Sequence, residues 1–403
     1  MDAAISGISA GDSRRLSVRA AFPLMIEMER EHGSLIRAMM ARRREGLSRL
    51  VSFDGGLSTL VEALRARIDP MLRAGRAARA ATRRNGVWRI EREDGQAVEA
   101  DWLVLALPAP RAVPLIAGEN PELAATLSAI PFAKVAMVAL AYREADVPRS
   151  LDGYGYLVAP SEGSDVLGVV WESSLFAERA PAGHVLLRVM LGGARHPMVA
   201  GREEAELSAA ARAEMAVTLG IAAAPERTWV RRWPEAIAQY ERGHLERVAT
   251  ARAQAARSGS LDLCGASYDG ASFAGAALSG ERSAERVVAA IEAARGGARS
   301  PGGARRDAPR DAAHLRRAAD AGVPAAAQVL VANPARTHPQ RRADSAAADP
   351  DDRDHARAAP RSTVDPGAIR VAARASDPRA GRGASVAAHA SRRRGSLACA
   401  RRL

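Results

Sequence analysis

Cysteine is scarce: Cys264 and Cys399 are the only two in 403 residues. They give no disulfide framework and no metal-ligand spacing, and they fit a reducing compartment. Long apolar runs are missing too. None reaches the roughly 18 residues needed to span a bilayer, and the longest, such as VAMVALAY at 135–142, read as buried strands. The N-terminus has no basic start, apolar stretch and cleavage site, so it does not read as a signal peptide. The expectation is a cytoplasmic protein, at most touching a membrane peripherally. Histidine is thin before residue 298: His32, His184, His196 and His244 are scattered without triad spacing. Each is expected to be a surface or structural residue.

The last 106 residues lack lysine, glutamate and every aromatic; the five Trp, five Tyr and five Phe all lie before Ala298. That tail holds 21 of the 58 basic residues and 10 of the 46 acidic ones, and so +11 of the net charge of +12. The remainder is a near-neutral globular sequence. The tail, rich in Ala, Arg, Pro, Asp and Gly, cannot bury enough apolar surface to offset its ordering entropy. Disorder over 298–403 is the expectation. A basic arm and a segment without selected function, resembling GC-rich DNA read in the wrong frame, are its two readings. Nucleic-acid binding is not expected.

What is present is a mixed helix and strand pattern. The first 50 residues look helical. Asp12 or Ser13 is placed to cap a helix through LSVRAAF, Pro23 suits a first turn, Gly33 a stop and Ser34 the next cap. Leu35, Ile36, Met39 and Met40 share one face and read as core filler. Leu57, Leu60, Val61, Leu64 and Ile68 follow helical spacing after Asp54-Gly55-Gly56. VWRIERE and QAVEA read as strands joined at Asp94-Gly95, and WLVLALP as a strand buried on both faces. From Lys134 to Leu191 the pattern is β: KVAMVALAY, YGYLVA, VLGVVW and VLLRVML. A helix over 202–220 stops at Gly220, a strand TWVRRW ends at Pro234, and LDLC is a strand before a helix from Ala276 to Ala294. The fold class is α/β (α+β).

Between that last strand and helix, a dozen small residues lie in LCGASYDGASFAGAALSGERSAERVV (263–288). A helix N-terminus offers free backbone N–H groups and partial positive charge, and residues without bulk let a ligand approach the backbone. A flat ligand that gains negative charge during its chemistry, as a flavin does on reduction, would suit it. A compact strand-to-helix connection in an Ala-rich protein is the other reading.

Seven blocks occur in an order that resembles the protoporphyrinogen oxidase family, FAD enzymes of haem biosynthesis. They are SGISAGDSRRLSVRAAFP (6–23), EREHGSLIRAM, GYGYLVAP (153–160), VLGVVWESSLFAERAPAGHVLL (166–187), LGG (191–193), RRWPEAIAQYERGH (231–244) and CGASYDG (264–270). They cover roughly the C-terminal three fifths of a typical member. The resemblance implies oxidation of protoporphyrinogen IX, or coproporphyrinogen III, to the porphyrin. Six hydrogens leave in three two-electron steps through FAD, with O2 as acceptor. It implies a partial FAD/NAD(P)-binding-type sheet with a mixed β/helical substrate domain. The expected divisions are 1–50 and 131–240 for substrate, 51–130 and 241–297 for the FAD-type domain, then the tail. A homodimer is a further partner expectation.

By the same resemblance, Leu157 and Phe176 match apolar residues that sandwich the substrate, and Gly7 a glycine beside the macrocycle. Ordinary strand core and an ordinary turn are the alternatives. Ala266, Ala271, Ser272 and Phe273 match positions beside the flavin ring, and Ala78 a valine on the adenine side. Arg179 and Arg188 could meet propionates, although solvated surface suits them better. No catalytic acid–base residue and no metal ligand is identified. The chain departs from the family in having no Gly-x-Gly-x-x-Gly turn for the pyrophosphate, in Phe273 where Val is usual, and in Ala238 where Pro is usual. The expectation is a truncated member that binds FAD weakly alone. A flavin amine oxidase or desaturase-like enzyme, and a non-catalytic remnant or interaction module, are the alternatives.

Overall fold

The computed structural model describes residues 2–45, 51–297 and 371–373. α1 (Asp2–Ser9) is followed by α2 (Val18–Ala21), α3 (Pro23–His32) and α4 (Leu35–Glu45). Pro23 occupies the first turn of α3, where an N–H would have no helical partner anyway, and Gly33 closes the helix. The Ser34 hydroxyl accepts from the Ile36 amide at 3.2 Å. The cap of α2 is Ser17, which accepts from the Ala20 amide, and not Asp12 or Ser13. Asp12 is drawn instead into an ion pair with Arg195 at 2.9 Å.

The methionine face of α4 is not core. Ile36, Met39 and Met40 are 72%, 65% and 60% exposed, while Ala38 is fully buried. After β1 (Val51–Phe53), α5 (Ser58–Ile68) repeats the outcome, with Leu57, Val61 and Leu64 exposed. Periodicity located both helices, but no described element covers their apolar stripes.

β2 (Ala78–Arg84), β3 (Val87–Arg92) and β4 (Ala97–Ala100) form an antiparallel meander turning at Asn85-Gly86 and Asp94-Gly95. Trp88 of β3 is fully buried, and its indole N–H donates to the Ser260 carbonyl at 2.9 Å. β5 (Leu103–Leu105), α6 (Ala109–Ile116) and α7 (Pro121–Ser128) follow. Trp88, Ile116, Leu123, Leu127 and, from far along the chain, Leu263 share one core.

A second core belongs to an antiparallel sheet. Its strands are β6 (Phe132–Arg143), β7 (Gly155–Leu157), β8 (Val166–Trp171), β9 (His184–Gly192) and β10 (Arg227–Ala238), ordered β10-β6-β9-β8-β7. α8 (Glu172–Leu175) follows β8, and α9 (Glu204–Leu219) follows β9. α9 starts on a capping box of Glu203 with Glu206 and stops at Gly220. It buries Leu207, Ala211 and Met215 in a core with Val138, Leu140, Leu187, Val189 and Leu191, which alternate onto one sheet face. On the opposite face a small cluster of Ala10, Ala133, Val135 and Leu167 lies next to α1, and Met137, Arg188 and Met190 remain half-buried. β10 does not end at Pro234: pairing with β6 resumes at Ile237 after a register shift. An edge strand tolerates the missing N–H.

Gly155 is required by the β7–β8 pairing. Its φ is +127°, and a Cβ there would lie 1.9 Å from the Val169 carbonyl oxygen. Last come α10 (His244–Arg257), β11 (Leu261–Leu263) and α11 (Phe273–Gly297), which begins three residues before the expected Ala276. β11 pairs parallel to β5, Leu261 with Leu103 and Leu263 with Leu105. In the tail, β12 (Val371–Ala373) pairs with β1; the rest of 298–403 lies outside the described residues. Among the described residues no helix is long and apolar enough to cross a membrane.

Candidate functional site

The loop from β11 to α11 is built from small residues but firmly held. The Cys264 amide donates to the Leu105 carbonyl at 3.3 Å, continuing the β5–β11 pairing. Ser267 turns inward and accepts from the Ala109 amide at 2.9 Å, closing the start of α6. Ser279 of α11 accepts from the Gly265 amide at 2.8 Å and donates to Asp269, which Arg252 of α10 grips at 2.6 Å. Burial alone would raise the Asp269 carboxyl; the Ser279 hydroxyl and the Arg252 guanidinium outweigh it and hold it below the usual carboxylate range. Gly270 and Gly275 pack backbone on backbone: a Cβ on Gly275 would lie 2.9 Å from the Gly270 carbonyl oxygen.

With the inner groups so fixed, Ala266 within the loop, and Ala271, Ser272 and Phe273 where it enters α11, are left exposed. Ser272 serves the helix, its hydroxyl accepting from the Gly275 amide at 2.9 Å and its carbonyl from the Ala276 amide at 2.9 Å. The Phe273 and Ala274 amides are the donors that a first helical turn cannot satisfy internally. The sequence-predicted Ala78 is elsewhere. It opens β2 opposite Arg92 and packs against the core around Trp88.

On the antiparallel sheet, Tyr156 and Leu157 leave β7 on opposite faces. The Tyr156 hydroxyl donates to Glu214 at 2.8 Å and lies 2.7 Å from the Thr218 hydroxyl, beneath α9. Leu157 points the other way, toward α1. A Cβ on Gly7 would lie 2.3 Å from Leu157 Cδ2, and one on Gly168 would lie 2.9 Å from the same methyl. Gly7 and Leu157 are thus in contact, and the side chain that an added Cβ on Gly7 meets first is Leu157. Phe176 sits just past α8, with the Arg179 guanidinium 5.6 Å from its ring centroid. Arg179 also donates to the Ser52 hydroxyl at 2.8 Å. Arg188 lies on the half-open sheet face and pairs with Glu172 at 2.6 Å, while its Nε is buried without a hydrogen-bond partner. Both arginines are tied to protein groups and are not free surface cations. Met137 and Met190 flank that face and were not singled out from sequence; strand alternation alone could have found them.

The histidines divide as follows. His32 is exposed, His184 is 3.0 Å from Glu226, and His196 is 3.4 Å from Asp165. His244 is fully buried and stacks on Tyr240 with centroids 3.9 Å apart and planes 15° apart. Burial lowers its pKa to about 4. Among the described residues no group of three or more His, Cys, Asp or Glu could hold a metal ion.

These two half-sites, a small-residue ledge after a parallel strand pair and an open antiparallel face under a helix, can be compared with known proteins. The profile of the flavin containing amine oxidoreductases matches residues 1–288. The chain belongs to this family. It is 32% identical over 312 residues to the protoporphyrinogen oxidase of Bos taurus, covering 72% of this chain and 65% of that protein. The Homo sapiens protoporphyrinogen oxidase gives 32% over 313 residues. The coproporphyrinogen III oxidase of Bacillus subtilis gives 26% over 277, covering 66% of this chain and 58% of the relative. The chain therefore spans less than two thirds of the length of these curated relatives. A crystal structure from Exiguobacterium sp. 255-15, provisionally assigned as a protoporphyrinogen oxidase, superposes with a TM-score of 0.61 at 22% identity, covering 72% of this chain and 63% of that one. Cyclohexylamine oxidase from Brevibacterium oxydans gives 0.51 at 14% identity, covering 72% and 64%. These two share the fold.

The ring end of a flavin fits the ledge. The residues there are small or flat, and the first turn of α11 has donors to spare for an electron-rich edge. A pyrophosphate does not fit the strand-to-helix connection of the partner strand in the parallel pair, from β5 to α6. That helix begins after Pro108, which has no N–H, and its Ala109 amide is already bonded to Ser267.

Proposed function

We propose that this chain carries the substrate face and the flavin-ring ledge of an FAD-dependent oxidoreductase acting on a porphyrinogen. Protoporphyrinogen IX and coproporphyrinogen III are the candidate substrates, with O2 as terminal acceptor. The observation that carries the reading is the shared exposure of Ala266, Ala271, Ser272 and Phe273 along a loop whose Ser267 and Gly265 groups are turned inward. A bound flavin supplies two-electron acceptance. The chain's own residues supply the surroundings: the ledge excludes water from one side, and the Phe273 and Ala274 amides favour negative charge at the ring edge. Ala78 is the proposed contact on the adenine side.

Leu157, held by Gly7 and Gly168, and Phe176 form the proposed apolar contacts of the macrocycle. A large apolar substrate needs shape and few polar groups, in keeping with half-buried Met137 and Met190 on the same sheet face. The test is to purify the full chain, titrate it with FAD while following flavin fluorescence, and then follow porphyrin fluorescence after adding each porphyrinogen under air. Saturable FAD binding, followed by porphyrin formation faster than the uncatalysed rate, is expected. A chain that leaves flavin fluorescence unchanged at every concentration would refute the cofactor reading. FAD binding without accelerated porphyrin formation would refute the substrate reading.

A further inference from the structure

Two neighbouring residues touch both half-sites. Gln239 is 2% exposed, and its side-chain amide donates to the Ser9 carbonyl at 3.0 Å, at the end of the helix that carries Gly7. The fit is close, since a Cβ on Gly11 would lie 2.6 Å from Gln239 Oε1. Tyr240 is 5% exposed and points the other way. Its hydroxyl donates to the Ala266 carbonyl at 2.8 Å and accepts from the Gly270 amide at 2.8 Å. The backbone between them is pinned as well. The Gln239 amide donates to the Pro131 carbonyl at 2.8 Å, and the Tyr240 carbonyl accepts from the Ser17 amide at 2.8 Å. The Arg15–Glu241 ion pair at 3.0 Å closes the segment.

We infer that Gln239 and Tyr240 are positioning residues, a strut that fixes the substrate-side helix α1 against the cofactor-side loop 264–272. Successive residues of an extended chain project to opposite sides, so one rigid dipeptide can hold two elements at a set spacing. Tyr240 is the more informative member. One hydroxyl, through a donated and an accepted bond, fixes both ends of the turn from Ala266 to Gly270, and the loop's exposed residues follow from that turn. The His244 ring behind it keeps the phenol in place by stacking. The inference rests on the flavin reading for its purpose, but its geometry can be tested without flavin.

The experiment uses the full chain and three variants. Tyr240→Phe keeps the stack and deletes both loop bonds. Gln239→Met keeps the volume and deletes the bond to Ser9. Tyr156→Phe deletes a buried hydroxyl far from the loop. Amide hydrogen exchange is measured on the flavin-free protein. Tyr240→Phe is expected to speed exchange over 265–275 roughly tenfold, the scale of one to two lost hydrogen bonds, while leaving 5–11 unchanged. Gln239→Met is expected to do the reverse, and Tyr156→Phe neither. In wild type, the Gly270 amide should exchange more slowly than those of Ala271 and Ser272.

FAD titration then supplies a readout that general destabilisation would not move selectively. Tyr240→Phe should weaken FAD about tenfold, whereas Tyr156→Phe, with a similar loss of a buried hydroxyl, should bind FAD like wild type. Equal exchange of 265–275 in wild type and Tyr240→Phe would overturn the strut. So would a wild-type Gly270 amide as free as its neighbours, a reading that stands even if a variant fails to fold. Failure of wild type to bind FAD sinks the flavin reading alone and leaves the exchange result to judge the strut.

Discussion

Gly7→Ala is a substitution whose sign depends on one neighbour. Gly7 lies inside α1, where exchanging glycine for alanine favours the helix by about 1 kcal/mol. Against this, the new methyl would sit 2.3 Å from Leu157 Cδ2, whereas carbon atoms make good contact at roughly 3.5–4.0 Å. The same methyl also lies over Gly168, so relief requires Leu157 to leave its seat between the two glycines. Overpacking of this kind costs about 1–3 kcal/mol, so Gly7→Ala should destabilise the chain by about 1 kcal/mol net. With Leu157→Ala in the background the clash is gone, and Gly7→Ala should stabilise by roughly 0.5–1 kcal/mol. The cycle then shows a coupling of about 2 kcal/mol, well above the ~0.5 kcal/mol within which independent sites add. Denaturant unfolding of the four proteins, at constant m, measures it. Additive effects, or a Gly7→Ala that destabilises equally in both backgrounds, would refute the clasp of Leu157 between two glycines.

Gly155→Ala combines a φ of +127° with a Cβ 1.9 Å from the Val169 carbonyl. It should cost at least about 4 kcal/mol and yield insoluble or unfolded protein; a soluble variant with an unchanged melting point would show that β7 pairs differently. His244 gives a pH prediction. Its folded pKa, lowered by burial to about 4, lies below the unfolded ~6.5, so between these values the unfolded chain binds a proton that the folded one lacks. Up to about 3 kcal/mol is then present above pH ~6.5 and lost as pH falls toward ~4. His244→Phe should flatten that limb of a stability–pH curve; parallel curves for variant and wild type would contradict it. Asp269 acts lower on the scale. Its depressed pKa means stability present above the ordinary ~3.9 and lost as pH falls through the folded value. Asp269→Asn should remove this lowest limb and cost about 2 kcal/mol at neutral pH; an unchanged acid limb in denaturation would count against the Arg252–Asp269–Ser279 arrangement.

Much of the helical punctuation was legible because it is local. Pro23, Gly33, Ser34 and Gly220 act within a turn of themselves, and the structure uses each as its chemistry suggests. β2 escaped because ARAATRR has one β-branched residue and no alternation; Asn85-Gly86 was the signal that could have revealed it. Pro234 misled because its effect depends on whether a neighbour needs the N–H, and strand order is not written in the strand itself. The stripes of α4 and α5 misled in a related way. Spacing says that a face is apolar, but what covers the face is a property of other elements.

The candidate site divides along the same line. The ledge was visible because smallness is a property of its own residues, and Gly7 and Leu157 were visible through their blocks. What ties these parts together was not. Tyr240 acts on Ala266 and Gly270 across some thirty residues, and Gln239 acts on Ser9 across 230. Such links carry no periodicity and no short motif, yet they tie the two proposed half-sites to each other. It follows that substitutions at positions 239 and 240 should move site properties more than their place outside both half-sites suggests, and that the exposed residues of the ledge itself should tolerate change in stability while altering affinity.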